Sequence, residues 1–176
     1  MTTAPVSRLS TAPTLSEALR ACPLIAVLRW ICPDEVEGVG GVLIEAGFRL
    51  IEVPLNSPEP YTSIERLARR YGDRALIGAG TVMAPDDVAR VGRAGGRLIV
   101  MDHADVSVVR AASGQGFTCF PGVATPTEGF AALGAGAVGL SFPAEAISAP
   151  VLKVWRAVFA KHIPLMPTGE IGRAHV

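Results

Sequence analysis

Lysine is nearly absent. The 176 residues hold two, Lys153 and Lys161, so any chemistry that needs a side-chain amine must draw on one of them. Cysteine is also scarce. Cys22, Cys32 and Cys119 are odd in number and form no C-x-x-C. They read as reduced, mostly buried thiols of a cytoplasmic protein, and no structural zinc site is expected. Charge of one sign is missing too, with 16 basic residues against 16 acidic ones. That excludes the basic footprint of a nucleic-acid binder. No apolar run reaches the roughly 18 residues of a membrane span. The first residues, M-T-T-A-P-V-S-R-L-S, lack the charged-then-apolar order of a secretory signal.

What is present is a globular composition, 49% hydrophobic and 18% charged. The length suits one domain with a real core. Residues 1–13 are polar and Pro-containing and read as a loose arm; residues 14–21 suit a short helix. Then short apolar runs recur at Leu24–Leu28, Phe48–Val53, Ala75–Ile77, Arg97–Met101, Phe117–Phe120, Val138–Phe142 and Ile163–Met166. Amphipathic stretches separate them. Pro33-Asp34-Glu35, Pro85-Asp86-Asp87 and Pro126-Thr127-Glu128 each place Pro at a first helical position and acid in the first turn. Apolar strands without strict alternation, alternating with helices, predict a parallel α/β fold.

Two architectures compete. A doubly wound dinucleotide fold wants G-x-G-x-x-G after an early strand. Gly78-Ala79-Gly80 lacks the third Gly and follows the third strand, so that signal is weak. A barrel gathers polar groups at the carboxyl ends of its strands. Here those ends carry Arg29, Glu52, Thr81, Asp102, Pro121-Gly122, Ser141 and Thr168-Gly169. The prediction is a (β/α)8 TIM barrel over residues 14–169, cut short after about seven strands.

At these strand ends six segments stand in order: P-L-I-A-V-L-R (23–29), E-A-G-F-R-L-I-E-V-P-L-N-S-P (45–58), A-L-I-G-A-G-T-V (75–82), F-P-G-V-A-T-P-T-E (120–128), F-P-A-E-A-I-S (142–148) and P-T-G (167–169). Together they resemble the 2-keto-3-deoxy-6-phosphogalactonate and 6-phosphogluconate aldolases. The resemblance implies a class I aldolase on a (β/α)8 barrel, usually a homotrimer, with no cofactor and no metal. Its substrate would be a phosphorylated keto-deoxy sugar acid, split into pyruvate and glyceraldehyde 3-phosphate. E-V-P-L-N-S-P leans to the galactonate branch, while P-T-G fits the gluconate type at least as well.

Such an aldolase turns a ketone into a protonated imine on a lysine, and the imine takes the electrons of the breaking carbon–carbon bond. A positioned acid/base moves the protons. Glu52 is the candidate. It ends a strand between Ile51 and Val53, where burial would raise its pKa toward working pH. The resemblance implies that Arg29 binds the anionic substrate and that Thr81 and Asn56 donate hydrogen bonds to it. It also implies that Thr168 and Gly169 begin the phosphate-binding loops and that Phe142 packs beside the pyruvate portion. Plainer readings stand beside these: a strand-end carboxylate paired with a neighbouring Arg for Glu52, a salt bridge for Arg29, turn caps for Thr81 and Asn56, core for Phe142. Asp102-His103-Ala104-Asp105 suggests metal ligands, but the reaction needs none, and members of the family usually have Pro where Asp102 stands.

The chain departs from the family in two places. The family pattern at strand six is an apolar run, then Lys, one apolar residue, then F-P. Gly139-Leu140-Ser141-Phe142-Pro143 has Ser141 in place of two of those residues. Neither Lys153 nor Lys161 is expected in the barrel mouth, since both fall on or after an outer helix. Losing one residue also inverts the facing of the residues beyond it, unless a bulge absorbs the change. The second departure is the tail. Residues 170–176, E-I-G-R-A-H-V, are what GAG-ATC-GGA-AGA-GCA-CAC-GTC encodes. That string resembles a short-read sequencing adapter, and these residues are expected not to be of biological origin. Three readings stand: an aldolase gene whose sequence is damaged here, a non-catalytic phosphosugar-binding barrel, and a phosphosugar isomerase that uses Glu52 without an imine. As written, the chain is expected to lack aldolase activity.

Overall fold

The computed structural model describes residues 12–169. Most of the predicted N-terminal arm, and all of the adapter-like segment 170–176, lie outside the described residues. The elements run α1 (Leu15–Ala21), β1 (Ile25–Val27), α2 (Pro33–Glu45), β2 (Leu50–Pro54), α3 (Pro60–Tyr71), β3 (Leu76–Gly80) and α4 (Pro85–Arg93). They continue with β4 (Leu98–Val100), α5 (Val106–Gly114), β5 (Thr118–Phe120), α6 (Pro126–Gly134), β6 (Leu140–Pro143), α7 (Ala149–Val158) and β7 (Leu165–Thr168). Every predicted strand is present, shortened by a residue or two at some ends and extended at others, as where β3 runs on to Gly80 and β7 to Thr168.

Helix starts are written into the sequence as expected. Pro occupies the first turn of α2, α4 and α6 as predicted, and of α3 and α7 as well, where its missing N–H costs nothing. Thr14 and Thr125 form capping boxes with Glu17 and Glu128, each box satisfying donors at both its ends.

All ladders are parallel. β1 to β5 form one sheet in sequence order, β6 and β7 pair with each other, and a bridge from Gly122 to Ser141 joins the two. This arc of seven strands has two apolar layers. Its inner layer is Leu50, Leu76, Leu98 and Phe120, with Ile25, Val100 and Met166 beside them and α1 closing the floor through Leu15, Ala18 and Leu19. Its outer layer seats Ile51, Val53, Ile77, Ala79, Ile99, Met101, Cys119, Leu140 and Phe142 under the helices. Strand residues therefore alternate between barrel interior and helix layer, as a pleat requires.

Among the described residues β1 and β7 have no ladder between them. A largely apolar cavity of about 420 Å³ lies there, lined by Ile25, Val27, Val100, Ser141, Met166 and Thr168 among others. No described helix is long and apolar enough to cross a membrane. The cysteines depart from expectation: Cys119 is buried, with its thiol pushed up to about 12 by burial, but Cys22 is half-buried and Cys32 exposed.

Candidate active site at the strand ends

The alternation of β2 puts Leu50, Glu52 and Pro54 on the inner side, and Glu52 is the first polar group above the inner layer. Its side chain is 4% exposed. Room for it comes from Gly80 on the neighbouring strand, where a Cβ would collide with the Glu52 carboxylate. One carboxylate oxygen, Oε2, is buried with no hydrogen-bond partner. Burial raises the Glu52 pKa to about 8, opposed by the charge of Arg29, aided by the charge of Asp102 and opposed by the Gly80 N–H. A carboxyl in this state is neutral or half-neutral near physiological pH and can both give and take a proton.

Three loops at this end are held in conformations that L side chains avoid. Trp30, Glu59 and Thr81 have φ of 61°, 40° and 54°. Such residues cost of order 1–3 kcal/mol each and cluster where function fixes the backbone. Trp30 follows Arg29, is 65% exposed, and donates its backbone N–H to the buried Ser57 hydroxyl at 3.1 Å. Thr81 donates its hydroxyl to Asp102 Oδ2 at 3.3 Å.

The predicted residues divide into three groups. Arg29, Glu52, Thr81 and Asp102 gather at the ends of β1 to β4, and Arg29 and Asp102 both act electrostatically on Glu52. Asn56 stays exposed on the loop after β2, at the same end. The Thr81 hydroxyl, expected to donate to a ligand, and the Thr168 hydroxyl, at the expected start of the phosphate loops, are both used within the protein. Thr81 bonds Asp102, and Thr168 bonds the Phe142 carbonyl at 3.1 Å, tying β7 to β6. Gly169 is exposed at the end of β7.

Phe142 is a correction. Its ring lies in the outer layer, 5.6 Å from Trp155 in an edge-on contact, and not beside the mouth. The cause is the shortened run: with Ser141 inward, the next residue must face out. Ser141 itself is 3% exposed, borders the inner cavity, and donates its hydroxyl to the Met101 carbonyl at 3.3 Å across the gap left by Gly122. Both lysines are exposed, Lys153 on α7 and Lys161 beyond it. No group of three metal-ligating side chains forms among the described residues. Gly80, Ser57 and the Thr81–Asp102 pair carry no signal in the sequence, because each depends on which strands become neighbours.

Known proteins share this fold. The family of KDPG and KHG aldolases matches residues 15–176. A curated 2-dehydro-3-deoxy-6-phosphogalactonate aldolase of Escherichia coli (strain K12) is 45% identical over 150 residues, covering 85% of this chain and 73% of the relative. A solved structure described as native KDPGal superimposes with a TM-score of 0.82 at 45% identity, over 85% of this chain and 73% of that one. The KDPG aldolase of Legionella pneumophila, solved with pyruvate captured as a covalent carbinolamine, gives 0.80 at 28% identity, over 90% and 77%.

Proposed function

Since the chain belongs to the KDPG and KHG aldolase family, we propose that its barrel mouth receives a phosphorylated keto-deoxy sugar acid and, as written, does not cleave it. The galactonate type is favoured. Identity is 45% to the phosphogalactonate enzyme against 28% to phosphogluconate enzymes, and E-V-P-L-N-S-P points the same way.

The observation that carries the reading is the inward Ser141 at the end of β6. Retro-aldol cleavage needs an acceptor for the electron pair of the breaking bond. An amine condenses with the ketone, loses water, and becomes an iminium that takes the pair. A serine hydroxyl adds to a ketone only as far as a hemiketal, which has no double bond to take it. The remaining parts of the mouth are in place. Glu52 holds a proton at neutral pH, in the buried position suited to moving it between substrate atoms. Arg29 stands exposed at the end of β1, where its guanidinium can meet a carboxylate or phosphate through paired hydrogen bonds. The chain therefore acts as a binding form of the family's barrel. The assembly is a homotrimer and the location cytoplasmic, both carried by the resemblance.

Titration of the purified chain with 2-dehydro-3-deoxy-6-phosphogalactonate tests this. Calorimetry should show binding that Arg29→Met weakens, while a coupled assay detects no pyruvate. Sustained pyruvate release would refute the loss of cleavage, and absence of binding would refute the ligand. Genomic DNA that reads Lys at strand six would return cleavage to the parent gene.

A further inference from the structure

The mouth holds a second carboxylate that the proposed chemistry leaves without a role. Asp102 lies just beyond β4 and continues the inward alternation of Leu98 and Val100. Its Oδ2 accepts the Thr81 hydroxyl. Thr81 has a left-handed backbone, which a β-branched residue strongly disfavours, so something must hold it there. Directly before it stands Gly80, whose missing side chain makes the space that the Glu52 carboxyl fills, and whose N–H reaches that carboxyl. Asp102 is thus connected to Glu52 through two consecutive residues of the β3 turn. Two side-chain charges bear on Glu52, Arg29 from the end of β1 and Asp102 from the end of β4, and they are opposite in sign.

We propose that Asp102 is a positioning residue for Glu52: through the Thr81 hydroxyl it fixes the β3 turn against the Glu52 carboxyl, and its negative charge stands in the mouth opposite Arg29. The inference deepens the acid/base reading of Glu52 and rests on it. Arg29 alone would draw Glu52 toward the ionised form; a carboxylate on the far side works against that, so the proton stays on Glu52. The same charge makes the mouth less attractive to a multiply anionic ligand, so Asp102 trades ligand affinity for a loaded acid.

The test uses the full chain with carbon-13-labelled glutamate and no ligand. The Glu52 carboxyl resonance, assigned by its loss in Glu52→Gln, is tracked against pH. Its midpoint should lie near 8 in the parent chain. In Asp102→Asn, which keeps an acceptor for Thr81 but no charge, the midpoint should move to lower pH. Asp102→Glu should leave it near the parent value, and Arg29→Met should raise it. An Asp102→Asn midpoint equal to that of the parent would overturn the proposal, as would equal displacement by Asp102→Asn and Asp102→Glu. Binding of 2-dehydro-3-deoxy-6-phosphogalactonate to the same samples is measured separately. A midpoint that moves in a chain that does not bind it supports the role of Asp102 and counts only against the ligand; an unmoved midpoint with that ligand bound removes Asp102 alone.

Discussion

The two sides of the barrel mouth differ in what they keep. On the β1 to β4 side, Arg29, Glu52, Gly80, Thr81 and Asp102 form one coupled group, with a buried carboxyl whose pKa is raised to about 8 and a turn held at φ 54°. On the β6 to β7 side two hydroxyls are bonded within the protein: Ser141 bonds a backbone carbonyl, Thr168 bonds another, and Phe142 packs on Trp155. On the proposed reading, proton transfer belongs to Glu52 on β2 and electron acceptance to the end of β6, so the two tasks fall to different strands.

The most drastic way to break that contrast is to supply the missing amine. Ser141→Lys places an amine at the inward position, beside a cavity of about 420 Å³ that can take its stem. The variant should gain a borohydride-trapped pyruvate adduct, read by intact mass, where the parent gives none. An unreactive variant would mean that the shortened strand misplaces the amine as well.

Phe142→Ala sharpens the contrast from the other direction. Phe142 is 2% exposed in the helix layer, so its removal should cost about 3–5 kcal/mol in denaturant unfolding. Ligand affinity in the folded fraction should be unchanged. A loss of affinity without a loss of stability would return Phe142 to the mouth.

Glu52 gives a pH-dependent effect of similar size. The folded state holds its proton up to about 8, whereas the ordinary value is 4.5. Between those two values the folded state binds more protons than the unfolded one, so stability falls as pH rises from about 4.5 to about 8 and is level beyond. The total is as much as ~5 kcal/mol. Glu52→Gln should remove this slope and unfold at higher denaturant than the parent at pH 8 and above. An unchanged slope would place Glu52 in water.

Gly80→Ala should produce the smallest change. Its Cβ meets the Glu52 carboxylate, which must move toward solvent, at a cost of roughly 1–3 kcal/mol. The Glu52 midpoint should fall with it, and a variant that keeps both stability and midpoint would show that the carboxyl does not rest on Gly80.

Much of this is legible in the sequence where the signal is local. Pro at helix starts and Thr-x-x-Glu boxes mark the helices, and the apolar runs mark seven strands. Glu52 stands out as an acid ending an apolar run, and the family resemblance turns it from a strand-end ion-pair partner into a candidate acid/base. The missing amine can be read directly, since only Lys153 and Lys161 exist and both lie on or after an outer helix. What cannot be read depends on strand neighbours. Gly80 looks like part of a weak glycine motif until β2 and β3 pair Pro54 with Gly80 and set Glu52 beside it. Asp102 reads as a strand-end polar group without a partner, because its contact with Thr81 crosses from β4 to β3. Analogy with a longer run places Phe142 in the mouth. The rule that one lost residue inverts a strand's facing, applied to Phe142 itself, gives the observed packing instead.

The central claim is that the mouth keeps its acid and lacks its amine. Incubation of the unmodified chain with pyruvate and borohydride, with intact mass spectrometry as the readout, tests it most directly. The account predicts the unmodified mass, whereas a pyruvate adduct mapped to Lys153 or Lys161 would contradict it.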